Sequence, residues 1–322
     1  MSSTPAAVAP PDLAATRPVS AWLLGLLGVV IFALTLPLTR MAVGPEAAPQ
    51  LDAGFVTFGR AALAGVLSLA WLGATGAMAR SRWPDAPQWR GLAATAVGVV
   101  VGFPLFLALA LRQVDASHAA VVTGVMPMAT AVIGAVLLRQ RMPAAFWAAA
   151  VVGLALVLAF AAWHGGARLQ AADGLLLLAV LSGGYGYVRG AQLSSPGLPP
   201  HAVICWVLVL SLPLTLPMTA WTWPAQPAQA SSWWALAYLG VFSMWLGFFA
   251  WYRALASGGT VRISQVQLLQ PFLAIWFSVP LLGETLDAAT VVFTLAIVAT
   301  ILFSRRAAQP TPHGPVPPRK PT

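Results

Sequence analysis

Arg60 stands inside an apolar run, Phe55-Val56-Thr57-Phe58-Gly59-Arg60-Ala61-Ala62-Leu63. A guanidinium keeps its proton and presents a fork of donors, so the chemistry open to it there is anion binding or gating. Snorkelling of the long side chain to the membrane surface accounts for it as well. Further along, Ser264, Gln267 and Gln270 fall at i, i+3 and i+6, along one slanting face of a helix. Unpaired polar groups are costly in an apolar medium, so this face must point into the protein. Substrate contact satisfies it, and so do hydrogen bonds between helices. Thr123 occupies the place equivalent to Gln267 in an earlier stretch of similar sequence, which fits a site with two sides. Phe242, Trp245, Phe249 and Tyr252 recur at i, i+3, i+7 and i+10, and Gly183, Gly184 and Gly186 surround Tyr185 and Tyr187. Helix packing explains such stripes equally well. As a cavity wall they favour a substrate with an apolar or aromatic part, its polar end fixed by Gln267 and Gln270. The candidate substrate-binding residues are Arg60, Thr123, Tyr185, Trp245, Phe249, Gln267 and Gln270.

Other chemistry is sparse. Cys205 is the single cysteine, and His118, His164, His201 and His313 are scattered with no i, i+4 pair, so neither a disulfide nor a metal site is expected. Phosphate-binding glycine motifs are missing, so no nucleotide cofactor is expected. Asp and Glu keep to the ends of apolar segments, which removes the carboxylate relay of many proton-driven pumps. His118 is then the titrating candidate in the right region. An enzyme would need an acid/base pair, a nucleophile or a metal cluster at one depth, and the sequence offers none.

The elements that must hold these residues follow from composition. Charged residues make up 8% of the chain and hydrophobic ones 59%, against roughly 25% charged in a water-soluble domain. Lipid is therefore the solvent for most of it. The net charge of +9 comes almost wholly from arginines that flank apolar runs, so it reads as topology and excludes a nucleic-acid partner. Ten segments reach the roughly 20 apolar residues a spanning helix needs: about 20–39, 53–73, 91–111, 117–138, 144–163, 173–191, 201–220, 232–253, 262–282 and 287–304. Trp22, Trp83, Trp89, Trp147, Trp163, Trp221, Trp223, Trp233 and Trp234 fall near their ends, where indoles favour the headgroup level. Residues 1–19 and 305–322 are proline-rich tails expected to be disordered. Arg80, Arg82, Arg90, Arg139, Arg141, Arg189, Arg253, Arg262, Arg305 and Arg306 would face one side, and Arg40, Arg112 and Arg168 the other. That asymmetry places both termini in the cytoplasm of an inner-membrane, multi-pass protein.

The stretch Ala110–Met142 aligns without a gap on Ala254–Leu286, 144 positions later, with Ala110-Leu111 on Ala254-Leu255 and Pro127 on Pro271. The chain is thus a duplicated unit. Five helices per copy is odd, so the second copy enters from the opposite side and the repeats are inverted, an arrangement characteristic of secondary transporters. The predicted architecture is an all-α integral membrane protein, ten transmembrane helices in two inverted five-helix repeats, residues 20–163 and 173–304. Pro37, Pro104, Pro127 and Pro271 lie within helices, where each frees a carbonyl and permits a kink. Pro127 and Pro271 are equivalent and are candidate paired hinges.

These segments resemble the two halves of the drug/metabolite transporter superfamily, EamA-like family. The second half carries Gly247-Phe248-Phe249-Ala250-Trp251-Tyr252-Arg253-Ala254-Leu255, then Gln270-Pro271, then Leu282-Gly283-Glu284-Thr285-Leu286. The first keeps Ala110-Leu111, Ala119-Ala120 and Pro127 but has Arg139-Gln140-Arg141 in place of Gly-Glu-x, and Ile31-Phe32-Ala33 where a Trp-Gly pair is usual. The resemblance implies a carrier that exports a small metabolite, such as an amino acid or related compound, by alternating access. Its expected partners are that substrate and the bilayer; a homodimer stays open. The rival readings are an integral-membrane enzyme and a non-transporting sensor or partner subunit.

Overall fold

The computed structural model describes residues 18–79, 83–139, 141–164, 170–193, 198–258 and 264–307, all helix and connecting turn with no strand among them. Most of both tails, with Arg80, Arg82, Arg168, Arg262 and the side chains of Tyr252 and Ser264, lies outside this description. Among the described residues, eight helices are long and apolar enough to cross a membrane: α1 Ala21–Val43, α2 Ala53–Ala74, α3 Ala86–Ala110, α4 Ala116–Leu137, α5 Ala144–His164, α6 Ala171–Leu193, α7 His201–Trp221 and α8 Ala230–Trp251. Two shorter apolar helices follow, α9 Val266–Leu282 and α10 Ala288–Ser304. Large apolar side chains such as Leu23, Val97, Val151, Leu178, Val292 and Leu295 point outward from the helices, as lipid-facing residues do.

Local chemistry sets the helix starts. Asp52 accepts from the backbone of Gly54 and Phe55, Asp85 and Gln88 form a reciprocal capping box, and Asp287 accepts from Thr290. Capping explains why the acids keep to helix ends. Within the spans, Thr57, Thr95, Ser211, Ser278 and Thr294 return their hydroxyls to the carbonyl four residues back, so apolar surroundings cost them no bond.

The halves interlock by exchange. α2 lies along α7 and α5 along α10; α1 packs on α8 and α9, while α6 packs on α3 and α4. Moving each helix five places on maps this pattern onto itself. Interruptions repeat as well. A π-helical stretch occupies Val97–Gly102 of α3 and Leu239–Leu246 of α8. α4 breaks at Gly124-Val125 before the segment Met126–Leu137, and α9 passes from a 3₁₀ turn, Ser264–Leu269, into the helix Gln270–Leu282. The prolines sit where the chain restarts: Pro104, Pro127 and Pro271 each occupy the first turn of a new segment, where a missing N–H is tolerated. They begin helices more than they bend them.

The two fourth helices also end alike. Gly283 closes α9 with φ +69°, and Arg139, its equivalent in the first half, takes φ +50° without being glycine. A side chain in the left-handed region costs about 1 kcal/mol or more. Arg139→Gly is therefore expected to raise the melting temperature of the purified protein by the equivalent of about 1 kcal/mol, and Gly283→Ala to lower it by a similar amount. Thermal unfolding in detergent checks both.

Candidate functional site

The buried apolar residues form two clusters, one toward each end of the bundle. Between them lies a cavity of about 270 Å³, walled by α1 to α4 of the first half and by α6, α8, α9 and α10 of the second. Its lining includes Thr123, Gly124, Met126 and Pro127 from the break in α4, and Gln267, Leu268, Gln270 and Pro271 from the equivalent place in α9. Pro127 cannot donate to the carbonyl of Thr123, nor Pro271 to that of Gln267, so the i→i−4 ladder is interrupted beside the cavity at both places.

Arg60, seven residues into α2 and so roughly 10 Å from its end, lines the cavity and is 3% exposed. Its Nη2 donates to Ser243 Oγ of α8 at 3.1 Å, and Ser243 and Thr35 of α1 share a hydrogen bond of 2.8 Å. Nε finds no partner, and among the described residues no carboxylate pairs with the guanidinium. The chain Arg60–Ser243–Thr35 thus joins three helices from both halves through one buried cation.

Gln267 and Gln270 both face the cavity. The 3₁₀ turn before Gln270 winds at three residues per turn, which sets side chains three apart above one another. Neither amide makes a hydrogen bond within the described residues. Thr123 lines the wall too, but its hydroxyl is spent on the Ala119 carbonyl.

Tyr185, Trp245 and Phe249 are not among the lining residues. On α6 the inward position is taken by Tyr187, two residues further on and nearly half a turn round the helix. On α8 the i, i+3, i+7 count assumes 3.6 residues per turn, whereas the π-helical stretch closes i→i+5 bonds and winds more loosely. Ser243, Met244 and Phe248 consequently face inward. Trp245 and Phe249 pack with Trp71 of α2, with ring centroids 5.2–6.2 Å apart, and Phe242 stacks on Tyr238 at 5.1 Å.

A second polar group, away from the cavity, ties the halves at the acid-bearing end of the bundle. Glu284 accepts from the backbone of Ala116 and Ser117 at 2.7 and 2.8 Å, neutralising the N-terminus of α4. Gly283 turns the chain and Glu284 then reaches across to the other half, which gives the Gly-Glu motif a physical reason. His118 Nε2 donates to Asp173 Oδ1 of α6 at 2.8 Å, with Asp173 2% exposed and also accepting from the Gln170 backbone. His164 lies 3.2 Å from Asp287, whose carboxyl is held below the usual carboxylate range by hydrogen bonds from Thr290 and stays ionised near neutral pH. The Phe160 ring lies against both imidazoles, 5.0 Å from His118 and 4.3 Å from His164. Gln50 accepts from the Gln229 backbone at 2.9 Å, and Ser232 donates to the Met41 carbonyl. Neither His118 nor Asp173 borders the cavity. In the sequence Asp173 stands at the very start of an apolar segment, and that place in the first turn of an apolar helix is the one signal for its burial.

A duplicated helical bundle with a cavity between its halves at the level of broken helices is the architecture of a membrane transporter. The chain belongs to the EamA-like transporter family, which matches residues 19–162 and again 170–306. It is 39% identical over 294 residues to YdeK, an uncharacterized transporter of Bacillus subtilis, covering 89% of this chain and 98% of that protein. A solved crystal structure of a protein at 19% identity shares the fold with a TM-score of 0.60, over 91% of this chain and 99% of the other.

Proposed function

We propose that this membrane transporter works by alternating access and exports a small, partly apolar metabolite, with an amino acid or related compound as the leading class. The observation that carries the reading is the cavity shared by both halves at the breaks in α4 and α9. Five spans per half would bring the second copy in from the opposite side, and exchanging the conformations of two such halves turns one open face into the other. Pro127 and Pro271 would serve as paired hinges. Arg60, Gln267 and Gln270 would hold the polar end of the substrate, with Thr123 at the facing break and Phe248 and Tyr187 against its apolar part. The cross-half bonds at Glu284, Asp173, Asp287 and Gln50 would form the gate on the periplasmic side, with both termini cytoplasmic, an orientation the arginine asymmetry supports. The reading contains no catalytic step: the His118–Asp173 contact, the arrangement that would best serve an enzyme, lies away from the cavity wall.

Export is tested by expressing the full chain in a bacterium and comparing secreted metabolites by mass spectrometry with a strain carrying Arg60→Ala and Gln267→Ala at equal membrane levels. A compound secreted by the wild type and lost in the variant is the expected result. Equal secretion by both would keep transport and discard the site; equality with an empty vector would count against export.

A further inference from the structure

We infer that the substrate is a small organic anion, a carboxylate on an apolar body, and that its charge is received by Arg60. This rests on the transporter reading and, within its substrate class, favours the related compounds that lack an ammonium group over free amino acids. Arg60 is 3% exposed, so its charge is not carried to the membrane surface, and its Nε has no partner. An arginine does not shed its proton in place of pairing, as a buried lysine or carboxyl can. Among the described residues the cavity wall holds no Asp, Glu, Lys or His, so its formal charge is that of one guanidinium. Acids sit instead at helix ends, where Glu46, Asp52, Asp115, Asp173, Glu284 and Asp287 are placed. A buried cation with no internal counter-charge favours whichever ligand supplies one.

The rest of the wall agrees in kind. Gln267 and Gln270 hold two uncommitted amides beside the guanidinium's cavity, and Phe32, Phe103 and Phe248 supply aromatic surface. Amide N–H groups and a guanidinium fork are the donor set of a carboxylate site. Nothing in the wall is an anion to receive an ammonium group. A compound of net negative charge therefore fits this cavity better than a free zwitterionic amino acid, and a cation fits worst. A purely structural pin between α1, α2 and α8 would need the hydrogen bond to Ser243 but not the charge, and this difference can be measured.

The test uses three probes of one shape and different charge, benzoate, benzamide and benzylammonium, with sodium chloride at equal concentration as control. Thermal unfolding of the full chain in detergent is followed as each is added. Benzoate is expected to raise the melting temperature and the other three to leave it within error. Arg60→Leu should raise the benzoate concentration for a half-maximal shift at least about tenfold, roughly 1.4 kcal/mol of binding, while Arg60→Lys should keep part of the affinity. If Arg60→Leu does not fold, Arg60→Gln and Ser243→Ala, which removes the guanidinium's anchor, replace it. Stabilisation by benzamide or benzylammonium equal to that by benzoate overturns the inference. So does an unchanged benzoate effect in the Arg60 variants, an equal effect of chloride, or no response to any probe. Any of these alongside intact export would remove the anion specificity and leave the transporter reading in place.

Discussion

Gly186→Leu will leave the protein unable to assemble stably in detergent, and Gly98→Ala will already cost it much of its stability. At this crossing α3 and α6 touch backbone to backbone. A Cβ on Gly98 would lie 2.5 Å from the Ser182 carbonyl oxygen and 2.6 Å from the Gly186 Cα, and one on Gly186 would lie 2.7 Å from a Val99 methyl and 3.0 Å from the Val99 nitrogen. Flexible side chains could yield; backbone on both sides cannot. Overpacking commonly costs about 1–3 kcal/mol, and a clash against two backbones belongs at or above the top of that range. Small residues here permit the close approach that packs helices in lipid, where no hydrophobic effect drives them together. Gly73→Ala is the internal control. Nothing lies within 4 Å of its added Cβ, so helix propensity alone should act, with a change within about 1 kcal/mol on the stabilising side. Melting temperatures and monodisperse yield across the three variants check the argument. Equal effects at Gly98 and Gly73 would contradict it.

The second large effect belongs to the buried pair His118–Asp173. Asp173→Leu removes the acceptor for both the imidazole and the Gln170 N–H, and His118→Phe leaves a carboxylate with one backbone donor in apolar surroundings. Leaving a buried polar group without its partner costs about 1–3 kcal/mol, and more for a charged one. Each single variant should lose stability on that scale, whereas the double variant should lose much less than the sum, since it leaves neither group stranded. A double-mutant cycle by thermal or denaturant unfolding reads the coupling directly. Additive losses would show that the 2.8 Å contact carries no interaction energy.

How far the sequence foretold the site depends on how local each cause is. Proline's missing N–H and the left-handed turn after the fourth helix are local matters. The match of Pro127 with Pro271 and of Arg139 with Gly283 therefore marked equivalent points in α4 and α9, although the prolines were expected inside continuous helices and instead begin new segments. Arg60 was legible because a charge inside an apolar run needs a reason of its own, and Gln267 and Gln270 because a row of amides does too. The aromatic wall was not. Trp245 and Phe249 were placed by counting at 3.6 residues per turn, and no residue in Leu239–Leu246 announces a π-helical stretch there. Tyr185 and Tyr187 are indistinguishable in sequence, and only the crossing of α6 with α3 decides which faces inward. Asp173 depends on a partner 55 residues away in the other half, and Thr35 and Ser243 on Arg60, so no window along the chain contains their reason.

Whether the halves separate at the acid-bearing end as substrate crosses is the claim on which the rest depends. The direct measurement is a reversible strap. Gln50 and Gln229 meet there from opposite halves, and Cys205, the one native thiol, is buried. In a Cys205→Ala background, Gln50→Cys with Gln229→Cys would be joined by a short cleavable bismaleimide, and export of the secreted compound followed before and after cleavage. Loss of export in the strapped protein, recovery on cleavage and no effect on either single-cysteine control are expected. Undiminished export with the two halves joined would contradict alternating access through this end.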